Sequence, residues 1–182
     1  MTYELKDAIF QATYEPRRDC LLEKAEAGDV EAMYELAVLY HAVDEEDGLN
    51  PEAKAHRWFV KAAEAGWADA VFFLGVFHEN PWGFDVVEHD MDKAVEYYNK
   101  AIEMGSNKAQ YEMGWRYLQG WKNVEQDVPK GLQLLEQAAE AKDYQACERL
   151  FNYYKHKAKN YEKAMQYAGQ TISILRDLAI EI

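Results

Sequence analysis

Apolar residues recur along this chain in two alternating patterns, which together predict pairs of amphipathic helices in tandem repeat. Three segments align: AEAGDVEAMYELAVLY from Ala25, AEAGWADAVFFLGVFH from Ala63 and IEMGSNKAQYEMGWRY from Ile102. Their glycines, Gly28, Gly66 and Gly105, stand 38 and 39 residues apart. A fourth copy, AEAKDYQACERLFNYY from Ala139, carries Lys142 in the glycine column. Small residues recur at Ala32, Ala70, Ala109 and Ala146, and a large apolar residue follows four positions on, at Leu36, Leu74, Met113 and Leu150. The next column holds Ala37, Gly75, Gly114 and Phe151. A spacing of four places these residues on one helix face.

A second set of columns has the same period. Lys54-Ala55, Lys93-Ala94, Lys130-Gly131 and Lys163-Ala164 open the apolar stretches AHRWFVKAAEAG, AVEYYNKAIEMG, GLQLLEQAAEAK and AMQYAGQTISIL. In the first of these, Ala55, Phe59 and Ala62/Ala63 again mark one helical face. Each repeat is therefore two helices, the first ending near Tyr40, His78, Tyr117 or Tyr154. Capping residues agree: Asp29, Ser106 and Asp143 precede the first helices, and Asn50, Asp90, Asp127 and Asn160 the second. Pro51 and Pro129 fall in first turns, where a missing N–H costs nothing. Trp67, at a cap position, breaks the pattern.

The motifs AEAGD-x-EA-x-Y-x-L, VEQDVPKG and QAAEA resemble the Sel-one-like repeat family, a relative of the tetratricopeptide repeats, over residues 19–168. The period, longer than the ~34 residues of tetratricopeptides, favours this branch. The resemblance implies an all-α, right-handed superhelical solenoid of antiparallel helix pairs whose concave face binds proteins. A secreted branch of the family carries a cysteine pair in every repeat; this chain lacks them, so the disulfide architecture of that branch does not transfer.

One helix pair cannot bury its apolar stripe alone, so neighbours and end caps must complete the core. The expected layout is a single domain over 1–182: an N-terminal cap and partial unit (1–28), repeats at 29–66, 67–105 and 106–142, and a last repeat with a C-terminal capping helix (143–182). That is about four repeats and about ten helices. The last helix runs long, through Ile172, Leu175 and Leu178, and its apolar tail has two destinations: back onto the last repeat, or a homodimer contact.

Charge narrows the partner. The net charge is −13, and all of it lies in residues 1–90, with 20 acids against 7 bases; residues 91–182 balance at 13 each. Such a chain is a poor ligand for nucleic acid or an anionic membrane. No apolar run reaches the ~20 residues of a membrane span, and the N-terminus lacks the pattern of a secretory signal. Cys20 and Cys147, far apart in sequence, read as structural thiols of a reduced, cytoplasmic protein.

No catalytic or cofactor motif is present. The five histidines show neither HExxH nor metal spacing, and no Gly-rich phosphate loop occurs. The run Asp44-Glu45-Glu46-Asp47-Gly48 fails as a calcium loop, because Lys54 stands where a glutamate is required. Candidate binding residues remain in three groups. One is acidic: Glu31, Glu35 and the loop Asp44, Glu45, Glu46 and Asp47, suited to a partner with a basic contact face. Another lies at variable positions of the first helices, Phe73, Glu112 and Trp115, expected in a groove. The last is an aromatic edge of loop residues Trp82, Phe84 and Trp121. These favour a protein-binding inhibitor, such as a bacterial immunity protein that blocks a basic toxin. An adaptor assembling signalling or secretion components is the alternative. A hydrolase is the remote third class, since its groups stand at no recognisable spacing.

Overall fold

The computed structural model describes residues 3–42, 51–80, 86–121 and 123–180, and all regular structure among them is helical. Nine helices occur among the described residues: α1 (Tyr3–Glu26), α2 (Val30–His41), α3 (Pro51–Glu64), α4 (Ala68–Glu79), α5 (Met91–Glu103), α6 (Asn107–Gln119), α7 (Val128–Glu140), α8 (Tyr144–His156) and α9 (Tyr161–Ile180). The count falls short of ten because the N-terminal cap and the partial unit are one helix, continuous through Pro16. Proline removes one backbone hydrogen bond there, but its fixed φ is helical.

The chain forms two compact units, Met1–Tyr97 and Tyr98–Ile182. In the first, Leu21 and Ala25 of α1 pack with Ala32 and Leu36 of α2, Ala55 and Phe59 of α3, and Ala70, Leu74 and Phe77 of α4. In the second, Leu118, Leu135, Ala138, Cys147, Leu150, Tyr154, Ala164 and Tyr167 join α6 to α9. The small-residue columns are the places where helices touch. A Cβ on Gly131 would lie 2.8 Å from the Gly114 carbonyl oxygen and 2.9 Å from the Leu118 nitrogen, so α6 and α7 meet backbone to backbone. Cys147 is buried and free, whereas Cys20, read as structural, is exposed.

The caps form as the sequence requires. Ala32 N–H donates to Asp29 Oδ1 (3.1 Å), Ala109 N–H to Ser106 Oγ (3.1 Å), and Ala146 N–H to Asp143 Oδ1 (3.0 Å). Trp67 makes no such bond; its ring stacks on Tyr34 instead, with centroids 5.4 Å apart. A cap hydrogen bond is thus exchanged for aromatic packing between α2 and the start of α4. Gly66 has φ of 94°, and Lys142, in the same column, is held at φ 64°. A side chain in this left-handed conformation is disfavoured by roughly 1 kcal/mol. Lys142→Gly is therefore expected to raise stability by about that amount, read as a higher denaturation midpoint with an unchanged m-value.

Each described loop inside a repeat is closed the same way. The N–H of the second helix's cap residue donates to the carbonyl at the Tyr/His column: Asp90 to His78 (2.9 Å), Asp127 to Tyr117 (2.9 Å) and Asn160 to Tyr154 (2.8 Å). The lysine column closes over the same residues. Lys130 Nζ donates to Tyr117 Oη (2.7 Å), Lys163 Nζ donates to Tyr154 Oη (3.1 Å), and Lys54 Nζ lies 5.5 Å from the Tyr40 ring centroid. His78 is held differently, by its Nδ1 at 2.9 Å from the Glu88 carbonyl oxygen and by stacking on Tyr97.

The C-terminal helix corrects one expectation. Ala164, Tyr167 and Ile174 pack into the second unit, but the tail does not fold back: Ile172, Leu175 and Leu178 are exposed. At 20 residues α9 outruns the 13 of α8, and Ile172 and Leu175 lie around the helix from the side α8 covers. Among the described residues no helix is long and apolar enough to cross a membrane.

Candidate protein-binding surface

In the first unit the acids cluster on the end of α1 and the start of α2. Glu23, Glu26, Asp29 and Glu31 are all exposed. Glu35 is half-buried, with Oε2 3.8 Å from Arg17 Nη2, and Arg18 Nη2 donates to Asp19 Oδ1 at 2.8 Å. Two arginines of α1 therefore answer part of the negative charge locally, and Glu31 is the more open of the two α2 candidates. Asp44, Glu45, Glu46 and Asp47 lie outside the described residues, as do Trp82 and Phe84. Trp121, in the loop before α7, is 49% exposed.

Phe73 is placed by packing. Its ring lies parallel to that of buried Phe59, with centroids 4.5 Å apart, and Tyr34 and His41 close around it. One face of Phe73 is thus spent on the core, and the side chain is half-buried.

In the second unit, Trp115 is also half-buried. The Arg149 guanidinium sits 4.0 Å from its ring centroid, and Arg149 Nε donates to Tyr111 Oη (3.3 Å). Arg149 shares a column with Glu35, Phe73 and Glu112, so this indole and cation are contributed by α6 and α8 together. Glu112 has an inward role: its Oε1 accepts from Arg116 Nε (2.9 Å) and Nη2 (2.8 Å). Arg116 is 2% exposed, and its guanidinium also lies 4.9 Å from the Tyr98 ring centroid. A buried guanidinium is tolerable only when its charge is balanced nearby, which ties Glu112 to the interior. No sequence motif singles out Arg116, but its column holds Leu39, Phe77 and Tyr153, and a cation among those residues is the sequence signal of a buried charge.

Two histidines sit among rings in the first unit. His41 is T-shaped to Phe73 and His56 to Phe77. Burial lowers the pKa of both; Glu52 opposes this at His41, and His78 reinforces it at His56. A histidine with a depressed folded pKa binds more protons when unfolded, so stability falls as pH drops below the unfolded value near 6.5 and levels off below the folded values. Thermal melts at pH 7 and pH 5 are expected to show a lower Tm at pH 5, and His41→Gln should reduce the difference. Among the described residues no group of three or more His, Cys, Asp or Glu converges as metal ligands would.

The family model of the Sel1 repeat matches residues 30–67, 68–106 and 107–143. No curated protein matches the sequence. Three solved structures are similar over 86% of this chain: a protective antigen of uropathogenic Escherichia coli strains displaying an SLR fold (26% identity, TM-score 0.66), a Sel1 repeat protein from Oxalobacter formigenes (24%, 0.64) and an immunity protein from Pseudomonas aeruginosa (23%, 0.65). The matched regions make up 33%, 61% and 57% of those chains, so this chain spans less than two thirds of each.

Proposed function

Since the chain belongs to the Sel1 repeat family, a protein-interaction fold that is generally non-catalytic, we propose that it is a cytoplasmic inhibitor that covers the basic face of a partner protein. The observation that carries this reading is the exposed acidic set Glu23, Glu26, Asp29 and Glu31, gathered where α1 meets α2. Like charges held together repel and cost stability, and a cationic partner relieves that cost. The P. aeruginosa immunity protein, built on the same fold, supports a neutralising role over an assembling one.

The test begins with the partner recovered by cross-linking and co-purification, followed by association kinetics at two salt concentrations. Exposed charges act over ~8 Å at physiological salt and mainly govern encounter. The triple variant Glu23→Gln, Glu26→Gln, Glu31→Gln is expected to slow association about tenfold or more at low salt, with dissociation little changed. Salt-independent association, or a partner with an acidic contact face, would overturn the electrostatic reading. Trp115→Ala reports on the second unit in the same assay. Its half-buried ring and the Arg149 contact lead us to expect a stability loss of about 2 kcal/mol. A loss of affinity beyond that of the acidic variant would add α6 and α8 to the contact surface.

A further inference from the structure

In the repeat array, the outer face of a second helix is covered by the first helix of the next repeat. On α7 the corresponding positions are Leu135 and Ala139, both buried; Leu135 lies against Gly114 of α6 and, with Ala139, shares a core cluster with Ala146, Cys147 and Leu150 of α8. Counting from the Lys130 and Lys163 columns, the matching residues of α9 are Ala168 and Ile172, and Ile172 is 68% exposed. Tyr161, Met165, Ala168, Ile172, Leu175 and Ala179 follow one another at intervals of 4, 3, 4, 3 and 4. That is the seam spacing of a helix that pairs with another helix. Tyr161 (65%), Met165 (70%) and Leu175 (46%) are exposed as well.

We propose that this seam is an antiparallel homodimer interface, in which α9 packs against α9 of a second copy. Three features single out a second copy as the occupant. The first is charge. Beside the seam, on the side away from α8, Glu162, Gly169 and Arg176 lie seven residues apart. An antiparallel pairing that matches Met165 with Leu175 and Ala168 with Ile172 sets Glu162 against Arg176 of the second copy, and by symmetry Arg176 against its Glu162. One self-complementary face thus makes two identical ion pairs.

The second feature is Gly169 itself. Glycine within a helix costs about 1 kcal/mol relative to alanine, and a Cβ added here meets open space. Nothing inside this chain requires the glycine. In the pairing described, Gly169 lies beside Gly169 of the second copy at the twofold axis, where a side chain would hold the two backbones apart. The third feature is area. Tyr161, Met165, Ile172 and Leu175 expose on the order of 500 Å² per copy, more than half of the ~800 Å² that each partner brings to a standard interface.

Sedimentation equilibrium on the 182-residue chain, from about 1 to about 100 µM, is the test. A mass twice the 21.1 kDa of the chain is expected at the upper end. Ile172→Asp should weaken the dimer by about 100-fold or more, with the helical circular dichroism signal retained because the residue is exposed. Glu162→Arg and Arg176→Glu should each weaken it about tenfold, and the two together should restore it to within a few-fold of the parent. A generally damaged helix would not be rescued by the swap. A monomer throughout the range overturns the proposal and leaves the seam to a further helix or a different protein. A dimer insensitive to Ile172→Asp, or singles not rescued by the double swap, overturns the antiparallel α9 arrangement.

Discussion

Phe59→Ala is expected to cost the first unit about 4 kcal/mol. Phe59 is fully buried at the centre of α3 and faces α2 on one side and α4 on the other. Its ring stacks on Phe73 at 4.5 Å, tilts toward Tyr34 at 6.0 Å and meets Phe77 edge-on at 6.1 Å. Removing it opens a cavity lined by rings too large to collapse inward, so both the transfer loss and the cavity cost apply. It also strips Phe73 of its stacking partner. Against a total stability of 5–15 kcal/mol typical of domains, urea unfolding should show a sharply lower midpoint for the first unit. A shift equivalent to less than about 1 kcal/mol would mean that Phe59 is not the keystone of its aromatic cluster.

Gly131→Ala is expected to destabilise the second unit by about 2 kcal/mol, in a helix where alanine would ordinarily gain about 1 kcal/mol. The sign reverses because the new methyl would meet backbone atoms, the Gly114 carbonyl oxygen at 2.8 Å and the Leu118 nitrogen at 2.9 Å. A flexible side chain could swing aside; two helix backbones cannot. The helices must separate, and Leu135, fully buried beneath them, then loses packing. The control is Gly169→Ala on α9, where the added methyl meets open space within one chain, so that folding stability should rise at concentrations low enough to keep the chain monomeric. If both substitutions stabilise, the close approach of α6 and α7 is not a constraint.

The repeat itself was legible because periodicity reports directly on packing: the alanine and glycine columns mark where helix meets helix, and the caps mark where each begins. What escaped is of a different kind. The lysine column and the tyrosine column were both visible, but their pairing was not, since it depends on how a loop turns. Arg116 escaped because binary patterning places a cation outside, whereas here Glu112 and Tyr98 make its burial tolerable. The variability of Phe73 and Trp115 between repeats points to a groove, and partial exposure is compatible with that. Their half-burial follows from Phe59 and Arg149, partners on neighbouring helices that sequence spacing alone does not bring together.

The closure of the loops has a consequence for how such a chain diversifies. The bond from cap N–H to helix-end carbonyl spans 12 positions in the second repeat, 10 in the third and 6 in the fourth, at nearly constant length. The frame therefore does not register how much chain hangs from it. Doubling a loop adds only ~0.6 kcal/mol of closure entropy, and the bracket at its base bears the mechanical load. Loop sequences become exchangeable parts, free to drift or to be grafted between repeats while the helices keep their register. Recognition and architecture can then change at different rates within one repeat array.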